Sequence, residues 1–254
     1  MQVTILGCGT SSGVPRIGND WGSCDPAEPR NRRRRVSILV EHDGTRILVD
    51  TGPDLREQLI DAGVGSVDAV IWTHDHADHC HGIDDLRQVY HARGSAVPGY
   101  AQQDTADTLL GRFGYVFTGN CGYPPVATLQ LLPDRLVVGP VEVRSVTQPH
   151  GDILTAGLRF DAGGRSIAYS TDVSGLTDAM VDLFAGVDLW IVDALRRRPH
   201  PSHASLSEAL GWTDLVRPSR SLLTHMDQSM DYRGLLAELP PGVEPAYDGQ
   251  VVAL

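Results

Sequence analysis

The chain has 254 residues, 41% hydrophobic and 21% charged, with a formal net charge of −11. That profile fits a globular protein with room for a sizeable core, and its acidic balance excludes long polyanions such as tRNA or duplex DNA as general surface partners. No uncharged apolar run approaches the roughly 20 residues of a membrane span, and the first residues lack the basic and apolar regions of a signal peptide, so no membrane partner is expected. The four cysteines, Cys8, Cys24, Cys80 and Cys121, form no CxxC pair. This argues against a disulfide framework or a four-cysteine zinc site and fits a reducing cytoplasm.

Met1 to Gly7 reads as a strand running into a glycine turn. Val36 to Val40 and Arg46 to Asp50 flank an Asp43-Gly44 turn, a strong hairpin signal. Asp54 and Glu57 form an Asp-x-x-Glu pair that predicts a capped helix, with Leu55, Leu59 and Ile60 buried and Gly63 ending it. Ala69 to Thr73 reads as a buried strand. Pro98 to Val126 has weak periodicity and predicts a helix followed by a long loop able to cover a site. Later strands are predicted at Val141 to Val146, Leu154 to Phe160, Ser166 to Ser170, Asp188 to Asp193 and Arg220 to Thr224. Helices are predicted at Leu176 to Phe184, Leu206 to Val216 and Asp231 to Leu239, the last stopped by Pro240-Pro241. No repeat or long linker interrupts this alternation, so one α/β domain over residues 1–254 is expected.

The most informative stretch is Thr73-His74-Asp75-His76-Ala77-Asp78-His79. Three histidines and two aspartates in seven residues cannot pack as a core without unmet polar groups. Imidazole and carboxylate are ligands for zinc, manganese or iron. The competing reading is a surface histidine run of accidental composition. Polar residues also close several later strands, as at Asp172 and His225, where sheet proteins commonly build sites.

The His-x-His-x-Asp-His pattern resembles the metallo-β-lactamase superfamily. Pro149-His150-Gly151-Asp152, Tyr169-Ser170-Thr171-Asp172 and Leu223-Thr224-His225 match its later motifs in order, and Asp50 in Val49-Asp50-Thr51-Gly52 matches its early aspartate. Alone, any of these residues would read as a hydrogen-bonded surface histidine or a strand-end cap. Together they imply an αββα sandwich with a dinuclear metal site between the sheets. Carried over, His74, His76 and His150 hold one metal, Asp78, His79 and His225 hold the other, and Asp172 bridges them. Asp50 braces the metal loops from behind. The resemblance implies two divalent ions per chain, zinc or manganese, and a metal-activated water as nucleophile.

Two features narrow the branch. Gly7-Cys8-Gly9-Thr10-Ser11-Ser12-Gly13-Val14-Pro15, followed by Asn31-Arg32-Arg33, is similar to the phosphodiesterase branch that includes phosphoribosyl 1,2-cyclic phosphate phosphodiesterase and, more distantly, ribonuclease Z. Pro201-Ser202-His203-Ala204-Ser205 resembles that branch's His-x-Ser/Thr motif, which makes His203 the expected general acid, oriented with help from Asp78. The competing readings are a plain turn and a helix-start residue capped by Ser202 or Ser205. The branch's cysteine cluster is reduced here to Cys24, so no structural zinc is expected there, and no insertion supplies a tRNA-binding arm.

The expected substrate is therefore a small cyclic or nucleotide-like phosphodiester. Arg32, Arg33, Arg34 and Arg35 would supply at least one guanidinium to its phosphate, the alternative being a solvated basic loop. Tyr115, within Gly111 to Phe117, would stack on a base or sugar; the alternative is packing in a lid or at a homodimer contact. A thioesterase or lactonase of the same fold, or a metal-binding protein without turnover, are the competing functions.

Overall fold

The computed structural model describes residues 1–254. Two seven-stranded sheets face one another. The first runs β14-β1-β2-β3-β4-β5-β6, with β1 at Gln2–Gly7, β2 at Ser37–His42, β3 at Thr45–Val49, β4 at Ala69–Trp72, β5 at Gly99–Ala101, β6 at Gln130–Leu131 and β14 at Val251–Ala253. The second runs β13-β12-β11-β10-β9-β8-β7, with β7 at Arg135–Val138, β8 at Val141–His150, β9 at Ile153–Ala162, β10 at Arg165–Ser170, β11 at Leu189–Asp193, β12 at Arg220–Thr224 and β13 at Val243–Pro245. The helices are α1 Leu55–Asp61, α2 Ala77–Cys80, α3 Leu86–Arg93, α4 Gln103–Thr118, α5 Asp178–Phe184, α6 Leu206–Val216 and α7 Tyr232–Glu238. None is long and apolar enough to cross a membrane.

Alternation explains the layers. Ile38, Val40, Ile47, Val49, Ala69 and Ile71 belong to the core between the sheets. Their neighbours Leu39, Leu48, Val70 and Trp72 belong to a second core under the helices. Each of these strands is thus apolar on both faces, which only a covered sheet tolerates. The first half of the expected sandwich follows from that pattern, and α5, α6 and α7 supply Met180, Phe184, Ala209, Val216 and Leu235 to the core of the second.

Each sheet also has a parallel half, β3-β4-β5-β6 and β10-β11-β12-β13. Parallel strands need crossover helices, and ligand sites form beyond their carboxyl ends. Here those ends deliver Asp50, His74, Asp172, Asp193 and His225.

Three expectations are corrected. Ile60 is 56% exposed, and Gln58 takes the buried place, donating to the Arg35 carbonyl at 2.8 Å. Asp54 makes no cap; its carboxylate accepts the Arg35 backbone N–H at 2.9 Å instead. Gly111 to Phe117 is helix, not loop: α4 runs through Gly111 and Gly114 with one break at Phe113. The reason is burial, since Leu109 and Val116 join the helical-side core with Phe113 and Phe117 packed against it. The hairpin is as expected, with Asp43 and Gly44 both at positive φ.

Candidate metal centre

Local backbone geometry aims the side chains. Asp50, Asp172 and His225 each leave a strand in the left-handed region, at φ 65°, 50° and 57°. Such conformations cost energy in non-glycine residues and cluster at functional sites. The tight β8–β9 turn ends β8 at His150. After His76, the single turn of α2 places Asp78 and His79. Gly52 lets the chain pass under this turn, because a Cβ there would sit 2.2 Å from the Asp78 carbonyl oxygen.

All seven expected ligands converge. One potential ligand group is His74, His76, His150 and Asp172; another is Asp78, His79 and His225. Asp172 faces both. Its Oδ2 lies 3.9 Å from His74 Nε2 and 3.6 Å from His150 Nε2, while its Oδ1 lies 3.0 Å from His79 Nε2 and 3.4 Å from His225 Nε2. Asp78 Oδ2 lies 3.4 Å from His79 Nε2 and 3.5 Å from His225 Nε2.

A second set of groups holds the rings. His79 Nδ1 donates to Asp50 Oδ2 at 2.8 Å, and Asp50 also accepts the Thr73 hydroxyl and backbone N–H, each at 2.8 Å. The Thr73 oxygen in turn accepts from His74 Nδ1 at 3.1 Å. His150 Nδ1 donates to the Ser202 carbonyl at 2.6 Å. These bonds fix the Nδ1–H tautomer and leave Nε2 inward as a lone pair. The Nε2 atoms of His74, His79 and His225 are buried without any hydrogen-bond partner. Orphaned imidazole nitrogens facing carboxylates are what a cation site needs, so the donor set fits divalent metal.

His203 lies at the rim, its side chain 11% exposed. Its ring stacks on His225 at 4.6 Å and meets His150 edge-on at 4.6 Å. Its Nδ1 donates to Asp193 Oδ2 at 2.8 Å, which leaves Nε2 free. Asp193 was not foreseen as a site residue; its one signal is that it ends an apolar strand, as Asp172 nearly does. Asp172, His203 and His225 also bring three ligand atoms together, but the Asp193 bond already occupies His203 Nδ1. Ser205, not Ser202, caps α6, in a capping box with Glu208.

The charges of the centre perturb one another. Burial pushes the Asp172 carboxyl up, but His225 and His79 outweigh it and hold it well below the usual range. Burial pushes His79 down, but Asp172, Asp78 and Asp50 raise it well above an ordinary imidazole. His225 is likewise driven down by burial yet raised to about 9 by Asp172 and Asp78. His74 is held well below by burial and by His79. Protons on His79 and His225 therefore stand where metal charge would stand. A protonated imidazole cannot ligate, so cation uptake at neutral pH should release protons from these two rings. Apparent affinity should rise with pH through the range in which His225 and His79 give up their protons. Calorimetric zinc titrations in buffers of different ionisation heat would measure this; no buffer dependence would refute it.

No hydrogen bond or ion pair joins the arginine run to these ligand residues. Arg33 is buried and donates to the carbonyls of Asp227 at 3.1 Å and Met230 at 2.5 Å, so the expectation that it serves substrate is corrected. Arg34 pairs with Asp61 at 2.6 Å, Arg35 with Asp54 at 3.1 Å, and Arg32 lies over the Trp21 ring at 5.3 Å. Tyr115 donates to Asp84 Oδ1 at 2.6 Å and lines a cavity of about 580 Å³ with Tyr90, Tyr123 and Arg87. One turn earlier on α4, Arg112 donates to the Asp75 carbonyl at 2.6 Å, which ties this helix to the metal loop.

Comparison with known proteins agrees with this geometry. The β-lactamase superfamily domain matches residues 45–226. A crystal structure of a diphosphatase from the PhnP family aligns with a TM-score of 0.90 at 34% identity, covering 99% of this chain and 96% of that one. Zinc-bound PqqB from Methylobacterium extorquens shares the fold, with a TM-score of 0.82 at 18% identity over 100% of both chains. An octanoyltransferase of Porphyromonas gingivalis is 33% identical over 98% of this chain but 51% of its own length, so the chain spans about half of that relative. The chain belongs to the β-lactamase superfamily, has the metallo-β-lactamase fold and resembles the PhnP branch.

Proposed function

We propose that this protein hydrolyses a small phosphodiester, cyclic or nucleotide-like, with the diphosphate bridge as a close chemical variant. The observation that carries this reading is the His203–Asp193 pair beside the Asp172 carboxylate. Expelling an alkoxide or a phosphate from phosphorus calls for a proton donor beside the metal ligands. His203 is held by Asp193 so that a proton on Nε2 faces outward, and it is not needed to complete either ligand group. Two divalent ions held by His74, His76 and His150 on one side and Asp78, His79 and His225 on the other, with Asp172 shared, would supply Lewis-acid activation of water and of the phosphoryl group. The histidine-rich set suits zinc, and the two aspartates also suit manganese. The Thr171 hydroxyl donates to Asp172 Oδ1 at 2.8 Å, holding a carboxylate whose Oδ1 faces His79 and whose Oδ2 faces His150.

The similar diphosphatase supports phosphorus chemistry, and the half-length match to an octanoyltransferase supplies the rival acyl reading. Assay of the metal-loaded protein on bis(p-nitrophenyl) phosphate, a dinucleoside diphosphate, a lactone and an octanoyl thioester decides between them. Turnover of the phosphorus substrates at least a hundredfold above the acyl ones is expected; the reverse order would sink the proposal.

Tyr115 belongs to the same reading as a contact for a base or sugar. Tyr115→Ala should raise KM for a nucleotide-like diester more than for bis(p-nitrophenyl) phosphate. Equal effects on both would make it a packing residue of α4.

A further inference from the structure

Pro29–Asn31 forms a single 3-10 turn, and Arg32 to Arg35 then runs extended, bridged at Arg33 to Val14 and at Arg35 to Gly9. Alternate side chains of an extended segment leave on opposite sides. Asn31 and Arg33 turn into the protein, where both are buried. Arg30, Arg32 and Arg34 instead line one cavity of about 570 Å³. Tyr247 and Val251 give it an accessible apolar floor, with the buried Leu6 and Leu39 of β1 and β2 beneath. None of the candidate metal ligands, nor His203, lines it.

The acidic groups of this cavity are already engaged. Glu41 pairs with Arg46 at 2.9 Å, and Asp61 pairs with Arg34. Asp248 accepts the backbone N–H groups of Arg34 at 2.7 Å and Cys8 at 3.1 Å. Arg30 and Arg32 have aromatic partners instead of carboxylates. The Arg30 guanidinium lies 5.0 Å from the Tyr232 ring centroid and 4.9 Å from that of Tyr247, and Arg32 lies 5.3 Å from that of Trp21. Stacking fixes the plane of a guanidinium while leaving its N–H edge free for the oxygens of phosphate. Two such groups without counter-charge, in a chain of net charge −11, mark a place for a compact anion. The volume falls within the roughly 300–1,000 Å³ of small-molecule sites, and the apolar floor suits a planar body.

We propose that this cavity is a second, non-catalytic site for a small phosphorylated ligand of the nucleoside monophosphate or diphosphate class, its phosphate on Arg30 and Arg32 and its planar part against Tyr247 and Val251. The test is calorimetric titration of ADP into the metal-loaded protein. One ADP should remain bound when the metal centre is disabled by Asp172→Ala, and its affinity should fall at least tenfold in the double variant Arg30→Ser, Arg32→Ser. That double variant should keep its melting temperature and metal content; if it does not fold, Arg32→Gln alone should still give a measurable loss. ADP binding that disappears with Asp172→Ala and is untouched by the arginine changes would place the ligand at the metal centre and overturn the proposal. Absence of any binding would overturn it equally.

Discussion

Replacing Asp172 by alanine should strip the centre of both metals and with them the hydrolytic activity. No other candidate ligand turns one oxygen toward each group, with Oδ2 near His74 and His150 and Oδ1 near His79 and His225. Its loss removes a ligand from each group at once. It also removes the buried negative charge that would face both cations. The fall in metal affinity should therefore exceed the ~10–100-fold typical of changes to outer supporting groups. Metal analysis after dialysis against a weak chelator reads the result directly. A variant that retained a full pair at unchanged affinity would show that Asp172 is not shared.

His203→Ala should behave differently: metals kept, turnover lost. General acids contribute on the order of 10²–10⁴ in rate, and that is the expected drop on an alkyl diester. The drop should shrink for a p-nitrophenolate leaving group, which departs without a proton. The structure gives reason to expect intact metal binding, because His203 Nδ1 is spent on Asp193 and the ring sits at the rim. Wild-type turnover on the alkyl diester would refute the assignment. Loss of metal would instead make His203 a ligand, through the trio it forms with Asp172 and His225.

The ligand cluster was legible in the sequence because His74 to His79 is contiguous and because Asp172 and His225 close apolar runs, whereas His150 follows the polar Thr147-Gln148-Pro149 and came from the family resemblance. Asp193 closes such a run too, yet nothing local distinguishes a carboxylate whose partner is a histidine ten residues on. The helical course of α4 was hidden by Gly111 and Gly114, whose poor propensity is overridden by the packing of Leu109 and Val116. The strands β5, β6, β13 and β14 have two or three residues each, too few to display a period. The arginine run was read as one surface, whereas its backbone is extended from Arg32 onward and sorts those side chains by parity. Burial of Arg33 among carbonyl oxygens leaves no trace in composition.

The strand ends that carry the ligands come from two different sheets. His74, His76, Asp78 and His79 follow β4 of the first, while His150, Asp172 and His225 follow β8, β10 and β12 of the second. Neither half of the chain owns a complete set for either ion: the first group borrows His150 from across the gap, and the second borrows His225. A cation bound there rivets the two sheets together, and it recognises only the docked pair. Because ligands that bind the folded state alone shift the folding equilibrium by mass action, tightness of metal binding and tightness of sheet docking become one quantity. A substitution deep in the interface, far from any imidazole, would then be felt first as a leak of metal.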